Sequence, residues 1–454
     1  MFRKSKKMHF IGIGGIGMSG IAEILINLGY EVSGSDLKSS EQTRRLESLG
    51  AKIFTGHFPS NITDYHVVVT SSAIDPLNPE IIEARKKNIP IIHRSEMLAE
   101  LVRLKHGIGV AGTHGKTTTS SMLASVLRDG GMNPTAIIGG KVFNFGSNAR
   151  VGEGQYIVFE ADESDGSFLK LLPSIAIVTN IDADHLDHYK YFEGLKDAFL
   201  SYINNIPFYG YSVLCTDDNV IRELLPRIER PYYTYGFNDD ADFTAHNVRM
   251  ENGKTCFRCD YKKTTVGEFT LSQLGNHNVL NSLAVIAVAL ELGLKYEAIR
   301  DGLKNFKGVG RRLETVGTRN GILVMDDYGH HPTEIRATLS ALKNLGRRIV
   351  VIFQPHRYTR TELLWDDFGQ SFAFADELFL SDIYPAGEEP IEGVSTELIC
   401  QAVKKHENRD AVYVRKFEDI APSVVKVLRE GDVVVTLGAG DIHKAGPAIL
   451  GLLK

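Results

Sequence analysis

A glycine-rich turn between a predicted strand and a predicted helix constrains the fold of this chain more than any other feature. Apolar residues 107–111 lead into Gly112-Thr113-His114-Gly115-Lys116-Thr117-Thr118, and an apolar helical pattern follows at residues 122–127. Strand, glycine loop and helix in this order let backbone N–H groups and a helix N-terminus bind a phosphate. The pattern departs from the general phosphate-loop rule at Val110, where that rule has glycine. We interpret the stretch as a nucleotide-phosphate loop; the alternative is a glycine turn that opens an ordinary helix.

Two side chains of this loop, and acids elsewhere, have predicted roles beside the phosphates. Lys116 is placed to reach the β- and γ-phosphates, and the Thr117 hydroxyl is placed to ligate Mg²⁺. Two later predicted strands, residues 156–159 and 175–180, are followed by the polar runs Glu160-Ala161-Asp162-Glu163-Ser164-Asp165 and Asp182-Ala183-Asp184-His185. Because Mg²⁺ prefers oxygen ligands beside phosphates, Glu160 is the best candidate ligand, with His185 a candidate for a second metal. The alternative is that these are solvated loop residues.

A second glycine turn lies near the start of the chain. Residues 8–11 form an apolar run that precedes the pattern Gly12-x-Gly14-x-x-Gly17. A helical pattern follows and ends at Gly29, and a second apolar run ends at Asp36. In the dinucleotide fingerprint, glycines approach a diphosphate and an acid binds a ribose hydroxyl. Alone, the fingerprint indicates an NAD-dependent dehydrogenase, but a UDP-sugar satisfies it equally well. The candidates for this site are Gly14, Gly15, Gly17, Asp36, His57, Ser71, Ser72 and Arg94, and a solvated loop position is the alternative for His57 and Arg94.

The last third of the chain has two predicted strands that end in dense polar chemistry. Residues 322–325 lead into Asp326-Asp327-Tyr328-Gly329-His330-His331-Pro332, and residues 348–353 lead into Gln354-Pro355-His356-Arg357-Tyr358-Thr359-Arg360. Carboxyl ends of parallel strands meet at one edge of a sheet, where open α/β sheets bind ligands. The sequence therefore predicts a third α/β layer with a cationic pocket.

Two segments between these regions permit weaker predictions. Residues 231–270 contain short alternating runs, which indicate a small antiparallel region. Asn278 and Asn281, three residues apart near a predicted helix start, share one helix face. They either hydrogen-bond a purine or cap the helix.

Length and composition exclude several classes of protein. A length of 454 residues predicts about three domains, at residues 1–106, 107–309 and 310–454, and the charged fraction of 24% is typical of a globular protein. A net charge of -5 gives no general attraction to nucleic acid or to an anionic membrane, and the chain has no apolar run of about 20 residues. The basic residues 3–7 precede a glycine-broken strand rather than a signal-peptide core. Four cysteines without a zinc pattern favour a reducing, cytoplasmic location.

As a set, the turn at Gly12–Gly20, the loop Gly112–Thr118, the acidic run Glu160–Asp165 and the segment Asp326–Pro332 resemble the Mur ligase family. The resemblance runs from about Met8 to the end of the chain. It implies an α/β fold with a Rossmann-like N-terminal domain, a central P-loop-type ATPase domain with a parallel sheet, and a Rossmann-like C-terminal α/β domain. It also accounts for Val110, because the ATP loop of this family reads G-T-x-G-K-T.

The resemblance implies an ATP- and Mg²⁺-dependent ligase of cell-wall precursor synthesis that joins L-alanine to UDP-N-acetylmuramate through an acyl phosphate. The first domain would bind the UDP-sugar, the second ATP and the third the amino acid. The residues that match the ATP site are Gly112, Thr113, His114, Gly115, Lys116, Thr117, Thr118, Asn278, Asn281, Arg312 and Asp327. The implied metal ligands are Thr117, Glu160 and His185. The residues with implied or expected catalytic roles are Lys116, His185, Arg312 and His331.

Some assignments remain open within this interpretation. Arg357 and Arg360 are candidates for the alanine carboxylate, and either His330 or His331 accepts the ammonium proton or shapes the loop. Related ligases carry a carbamylated lysine where this chain has Phe199-Leu200-Ser201, so we expect no carbamate here. The rival functions are a ligase that attaches a recycled tripeptide to the same sugar, an NAD-dependent oxidoreductase and a non-catalytic nucleotide-gated binding protein. The sequence does not determine the oligomeric state, and a homodimer is one option.

Overall fold

The structure is a computed structural model that describes residues 7–251 and 253–453, without the side chains of Leu186 and Asp187. The basic residues 3–6 lie outside the described residues. The chain forms two compact units. The first contains the residues up to Asn247, Phe257–Thr270 and Leu280–Lys307, and the second contains Val248–Cys256, Leu271–Val279 and Gly308–Lys454. Helices cover parallel strands in both, so the predicted α/β class is confirmed.

The first unit begins with a five-stranded parallel sheet. Its elements are β1 (Lys7–Ile11), α1 (Ile16–Asn27), β2 (Glu31–Asp36), α2 (Glu41–Ser48), β3 (Lys52–Thr55), β4 (Val67–Thr70), α3 (Pro79–Lys86), β5 (Ile91–His93) and α4 (Arg94–Val102). The strand order is β3-β2-β1-β4-β5, and every pair is parallel. The order reverses at β1, so the glycine turn after β1 opens into the crevice where such sheets bind ligands.

A second sheet, of ten strands, follows the first sheet in the chain and lies mainly in the first unit. Its elements are β6 (His106–Ala111), α5 (Lys116–Asp129), β7 (Thr135–Val142), β8 (Ser147–Arg150), β9 (Tyr156–Glu160), β10 (Ile175–Val178), α6 (Leu186–Tyr189), α7 (Phe192–Asn204), β11 (Tyr211–Cys215), α8 (Asn219–Leu224), β12 (Tyr232–Gly236), β13 (Phe243–Glu251), β14 (Lys254–Tyr261), β15 (Thr264–Leu271), α9 (Asn276–Glu291) and α10 (Tyr296–Asn305). The order is β15-β14-β13-β12-β11-β10-β6-β9-β7-β8. Strand β6 therefore lies between β10 and β9, and all three end beside the phosphate loop.

For residues 231–270 the structure contradicts the antiparallel prediction only at β12, because β13, β14 and β15 follow it as neighbours in chain order, which is the order of an antiparallel meander. These residues do form strands, but β12 pairs parallel with β11 and with β13, so the segment continues the large sheet. Alternation of apolar residues identifies a strand without identifying its neighbour, because strand partners are chosen by contacts distant in sequence.

The second unit is built on a six-stranded sheet. Its elements are β16 (Glu314–Arg319), β17 (Ile322–Asp327), α11 (Pro332–Lys343), β18 (Ile349–Phe353), α12 (Tyr358–Phe368), β19 (Glu377–Ser381), α13 (Thr396–Glu407), β20 (Val412–Val414), α14 (Ile420–Val425), β21 (Val433–Leu437) and α15 (Ala445–Leu452). The order is β16-β17-β21-β18-β19-β20, and only the pair β16–β17 is antiparallel among the pairings of these described strands.

Alternating residues of the central strands enter two separate cores on the two faces of this sheet. Val351 and Phe353 pack on one side, and Val350 and Ile352 pack on the other. Burial on both faces is typical of strands covered by helices, and it explains their near-continuous apolar sequence. Within the described residues, no helix is long and apolar enough to cross a membrane.

Candidate active site

The phosphate loop connects β6 to α5 as predicted. Gly112 has φ 130° and Gly115, the N-cap of α5, has φ 83°, backbone conformations that glycine adopts without strain. Thr118 lies buried in the first turn of the helix. The loop therefore presents its backbone N–H groups and the N-terminus of a 14-residue helix at the carboxyl edge of the sheet.

The end of β10 holds this loop in place. His114 N–H donates to Asn180 Oδ1 (2.8 Å), and its carbonyl accepts from Thr179 Oγ1 (2.5 Å) and Asn180 Nδ2 (3.0 Å). The His114 ring lies 3.1 Å from Asp182 Oδ2, and the Thr113 hydroxyl exchanges hydrogen bonds with the Asp182 backbone. These hydrogen bonds fix the shape of the loop from the neighbouring strand end.

Lys116 forms a buried ion pair in the loop. Its ammonium donates to both carboxylate oxygens of Glu163, at 2.7 and 2.8 Å, and to the carbonyls of Gly112 and Thr113. The Glu163 side chain is 0% exposed and that of Lys116 is 16% exposed. Burial acts to lower the pKa of Lys116, but the negative charges, led by Glu163, outweigh it and raise the pKa. Lys116 therefore remains a cation within the loop.

Thr117 and Glu160 form a cluster of oxygen atoms beside Lys116. The Thr117 hydroxyl donates to Glu160 Oε2 (3.0 Å), while Glu160 Oε1 accepts from Ser120 Oγ (3.3 Å) and Gly139 N–H (2.6 Å). An alcohol and a carboxylate at this distance are a donor set that suits a hard cation such as Mg²⁺. The structure thus brings these two predicted ligands together.

His185, the third predicted metal ligand, faces acids near the same loop. Its Nε2 lies 3.8 Å from Glu163 Oε1 and 3.8 Å from Asp184 Oδ2. His185 also adopts φ 57°, an uncommon conformation for a residue with a side chain. His185 therefore lies beside Glu163, the carboxylate that also binds Lys116. Its assignment to a metal stays a prediction.

Arg94 connects the two glycine loops of the first unit. Its guanidinium donates to Asp162 Oδ2 (2.9 Å), and its other terminal nitrogen lies 2.9 Å from the place where a Cβ on Gly17 would stand. Burial acts to raise the pKa of Asp162, but Lys116 and Arg94 lower it well below its usual range. Arg94 therefore balances charge beside both turns.

The N-terminal glycine turn uses the acid at the end of β2. Asp36 Oδ2 accepts a hydrogen bond from Gly14 N–H (2.9 Å), and Gly15 is the N-cap of α1. The predicted ribose ligand therefore also holds the turn. Ser71 and Ser72 follow β4 at the same edge, the first half-buried and the second exposed.

His57, another predicted UDP-sugar residue, turns one side of its ring inward. Its Nδ1 lies 2.9 Å from Ser35 Oγ and 3.4 Å from Glu80 Oε2. The structure thus connects His57 to a buried carboxylate that the sequence did not single out.

In the second unit, the end of β17 organises the loop that precedes β16. Asp327 Oδ2 accepts from Leu313 N–H (2.8 Å), and Oδ1 accepts from Gly329 N–H (2.8 Å). Arg312 lies over the Tyr328 ring, 5.2 Å from its centroid, and 3.7 Å from Glu334. Asp327 is therefore buried in backbone contacts of its own unit, and its assignment to ATP, with that of Arg312, stays a prediction.

His330 and His331 have different surroundings. His331 is buried and caps α11, where Thr333 N–H donates to its Nδ1 at 3.4 Å. His330 is half-buried, and its ring centroid lies 5.6 Å from that of His356. His330 therefore faces the polar residues that follow β18, whereas His331 shapes the loop.

The two candidate carboxylate ligands, Arg357 and Arg360, lie at the start of α12. Arg357 is exposed and lies 3.7 Å from Glu388, and Arg360 contacts His356 Nδ1 at 3.3 Å. The His356 ring stacks on Tyr384 with a centroid distance of 5.7 Å. The polar ends of β17 and β18 thus converge, as the sequence predicted, and Tyr384 after β19 joins them.

Helix α9 carries the two predicted purine ligands. In the first unit, Asn281 lies against the phosphate loop, since a Cβ on Gly115 would stand 2.8 Å from its Oδ1. In the second, the Asn278 amide donates to the Leu274 carbonyl (2.8 Å), a contact near the helix start. This bond is not a helix cap, because the Asn278 side chain donates to a carbonyl instead of accepting from a backbone N–H; it fixes the side chain to the turn before the helix.

Three family models match the chain along nearly its whole length. They are the Mur ligase family catalytic domain at residues 7–106, the Mur ligase middle domain at 110–289 and the Mur ligase glutamate ligase domain at 311–440. This chain belongs to the Mur ligase family. Two curated members that resemble this Mur ligase are each named UDP-N-acetylmuramate–L-alanine ligase. The one from Geobacter sulfurreducens is 55% identical and the one from Geotalea daltonii 54% identical, each covering 100% of this chain and 99% of the relative.

Solved structures support the same membership. The UDP-N-acetylmuramate-alanine ligase MurC of Thermotoga maritima is 31% identical, with a TM-score of 0.83 and 98% coverage of both chains. A murein peptide ligase of Psychrobacter arcticus is 26% identical, with a TM-score of 0.73 and 98% coverage of both chains. The predicted family and three-part α/β fold are confirmed, whereas the predicted domain boundaries stay predictions.

The structure of this Mur ligase adds functional candidates that the sequence did not assign. Glu163 holds Lys116, Asn180 holds the phosphate loop, and Glu388 faces Arg357 and binds Thr359 N–H at 3.1 Å. Glu163 stood in the acidic run that was singled out, but the pattern did not distinguish it from its neighbours. Asn180 had no signal beyond its position at the end of a predicted strand, and Glu388 had none.

Asp327 predicts a pH dependence of stability. Burial raises its pKa to about 6, opposed by Arg312 and two backbone N–H donors. Because the folded state holds this proton more tightly than the unfolded state, the stability from Asp327 is complete below about pH 4 and is lost towards pH 6, by up to about 3 kcal/mol. Urea unfolding of the wild type and Asp327→Asn, measured between pH 4 and 7, should show a falling difference in unfolding free energy. Glu389→Gln, at an exposed acid, is the control, and the difference in unfolding free energy between it and the wild type should not change over this pH range. If the difference for Asp327→Asn does not change either, Asp327 is not the source of the pH dependence.

Proposed function

We propose that this Mur ligase joins L-alanine to the lactyl carboxylate of UDP-N-acetylmuramate and converts ATP to ADP and phosphate. The observation that carries the proposal is the phosphate loop, where Lys116 and the Thr117–Glu160 oxygen pair lie at a helix N-terminus. The names of the full-length relatives support the choice of substrates.

The chemistry requires an activated carboxylate. A carboxylate is a poor electrophile, so its oxygen first attacks the γ-phosphorus of ATP and gives an acyl phosphate with release of ADP. The amine of L-alanine then attacks the carbonyl carbon, and the tetrahedral intermediate expels phosphate. Each step brings anions together, and the ammonium of Lys116 would stabilise the charge on the transferred phosphoryl group.

Thr117 and Glu160 are the residues that would hold Mg²⁺. Their oxygens lie 3.0 Å apart beside the loop, and His185 lies on the same acidic side. Mg²⁺, when bound, would neutralise charge on the phosphate oxygens. The Gly139 N–H and the Ser120 hydroxyl fix the orientation of the Glu160 carboxylate. His185 is the candidate ligand for a second metal ion.

Each unit has candidate residues for one group of the substrates, the diphosphate of the UDP-sugar or the carboxylate of L-alanine. In the first, the N–H groups around Gly15 and the N-terminus of α1 would bind the diphosphate of the UDP-sugar. In the second, Arg357 and Arg360 would bind the alanine carboxylate, and His330 is better placed than His331 to accept a proton because His331 caps α11. The cytoplasmic location and the homodimer stay predictions.

Release of phosphate tests this proposal directly. We expect release from ATP and Mg²⁺ only when UDP-N-acetylmuramate and L-alanine are both present. In Glu160→Gln the concentration of Mg²⁺ that gives half-maximal release should rise by about tenfold or more, since one charged ligand is lost. Magnesium-dependent binding of ADP, measured by calorimetry, should shift in the same way without turnover.

Other outcomes would redirect the assignment. Release with a tripeptide but not with L-alanine would favour the recycling ligase, whose structural relative is the murein peptide ligase. Binding of NAD without phosphate release would favour the oxidoreductase alternative. An unchanged Mg²⁺ requirement in Glu160→Gln would remove Glu160 from the metal site.

A further inference from the structure

A buried hydrogen-bond network of polar side chains lies beneath the N-terminal glycine turn. Its centre is Glu80, the second residue of α3, whose side chain is 0% exposed. Glu80 Oε2 accepts from Ser35 Oγ (2.5 Å), and Oε1 accepts from Asn61 Nδ2 (2.6 Å). The imidazole of His9 lies 3.6 Å from Oε2. A carboxylate buried this completely persists only with such partners.

The hydrogen bonds around Glu80 determine which atoms carry the protons. Burial acts to raise the pKa of Glu80, but its partners, led by His9, lower it, so the carboxylate is ionised and can only accept. Ser35 has one hydroxyl proton, which it gives to Glu80. The 2.9 Å contact between Ser35 Oγ and His57 Nδ1 must then be a bond donated by the imidazole. In the neutral ring, Nε2 is therefore an acceptor.

The second ring nitrogen of His57, Nε2, is not part of this hydrogen-bond network. Among the described residues, Nε2 of His57 has no hydrogen-bond partner, and it is not a buried atom. The same strand end that holds His57 also holds the glycine turn, because the Ser35 carbonyl accepts from Gly12 N–H (2.8 Å) and Ile13 N–H (3.0 Å). Gly56 N–H, next to His57, donates to the Asp36 carbonyl (2.7 Å).

The strand order indicates which part of a nucleotide would meet His57. The glycine turn follows β1, Asp36 ends β2 and His57 follows β3, and these strands are consecutive neighbours in the sheet. A nucleoside diphosphate with its diphosphate on the turn and its ribose near Asp36 would place its base towards β3. Uracil carries an imide N–H, which an acceptor nitrogen binds, whereas cytosine carries an acceptor at that position.

We propose that Glu80 is a positioning residue of the nucleotide site: through Ser35 it fixes the tautomer of His57, whose Nε2 then accepts the imide N–H of uracil. This inference rests on the proposed function, because it assumes that the turn binds a uridine diphosphate. It assigns to a buried acid of α3 a role in selecting the base, which the backbone contacts of the turn cannot supply.

The test is the preference of the full-length protein for UDP over CDP. Both nucleotides are titrated by calorimetry with the ATP site saturated by ADP. The wild type should bind UDP at least about tenfold more tightly than CDP, the scale of one matched hydrogen bond against a mismatched acceptor. Glu80→Gln, which can donate to Ser35 and so releases the tautomer, should lose most of this preference. His57→Phe should lose it to the same extent, and the double variant should lose no more.

Controls separate positioning from folding. Glu83→Gln, on the same helix but in surface pairs with Lys86 and Lys87, should keep the preference. Ser35→Ala breaks the connection while leaving Glu80 in place, and it serves as the second variant if Glu80→Gln does not fold in thermal unfolding.

A folded Glu80→Gln or Ser35→Ala with an unchanged preference would overturn this inference alone. Equal weakening of UDP and CDP, which a purely structural role predicts, would also overturn it. A wild type that binds neither nucleotide would overturn both the inference and the proposed UDP-sugar site.

Discussion

Replacing Lys116 by methionine is expected to abolish turnover and, separately, to destabilise the first unit. The ammonium is the cation of the phosphate loop, and losing such a group costs about 10²–10³-fold or more in rate. The substitution also leaves Glu163, 0% exposed, as a buried charge without its ammonium partner. Breaking a buried pair in this way costs about 3–5 kcal/mol. Phosphate release and urea unfolding measure the two effects.

A double variant separates these effects. In Lys116→Met/Glu163→Gln no unpaired charge is buried, so we expect most of the lost stability to return while turnover stays absent. Lys170→Met is the matched control, since its partner Glu96 is a surface residue and such pairs contribute about 0–1 kcal/mol. If the double variant is no more stable than Lys116→Met, the destabilisation does not come from Glu163.

Replacing Gly112 by alanine is expected to disrupt the phosphate loop. Gly112 has φ 130°, and a Cβ there would overlap Thr179 Oγ1 and stand 3.0 Å from Thr179 N. Strain and overlap act together, so we expect a loss of at least about 3 kcal/mol and no measurable binding of ADP.

Gly131 provides the matched control at the other end of α5. It has φ 86°, but a Cβ there would meet no atom within 4 Å, so Gly131→Ala adds only backbone strain of about 1–2 kcal/mol. Urea unfolding and calorimetry with ADP compare the two variants. Equal stability of the two would show that the contact with Thr179 does not restrict Gly112.

The predictions from sequence succeeded where chemistry and local structure coincide. The phosphate loop could be located because glycine, lysine and threonine stand between a strand pattern and a helix pattern, each of which is local. Thr117 and Glu160 could be paired because neighbouring parallel strands end at one edge. The same reasoning placed Arg357 and His330 at the edge of the last sheet.

The residues that were missed depend on contacts distant in sequence. Glu80 stands in Pro79-Glu80-Ile81-Ile82-Glu83, which is typical of a surface helix with an acid in its first turn, and only the packing of α3 buries it. Glu163 follows two similar acids, and the local pattern cannot say which one turns towards Lys116. Asp36 was assigned to a ribose. Its bond from Gly14 N–H joins residues that are distant in sequence, so only the structure shows it.

Arg94 makes the two glycine loops thermodynamically dependent on each other. Its guanidinium is bound by Asp162, which lies in the field of Lys116, and it also reaches Gly17 of the other turn. An anion that draws Arg94 towards the turn removes positive charge from Asp162 and so changes the potential at Lys116. By linkage, a nucleotide on the phosphate loop then changes the affinity of the turn by the same factor. One shared cation is thus a route for cooperativity between substrates that need not touch.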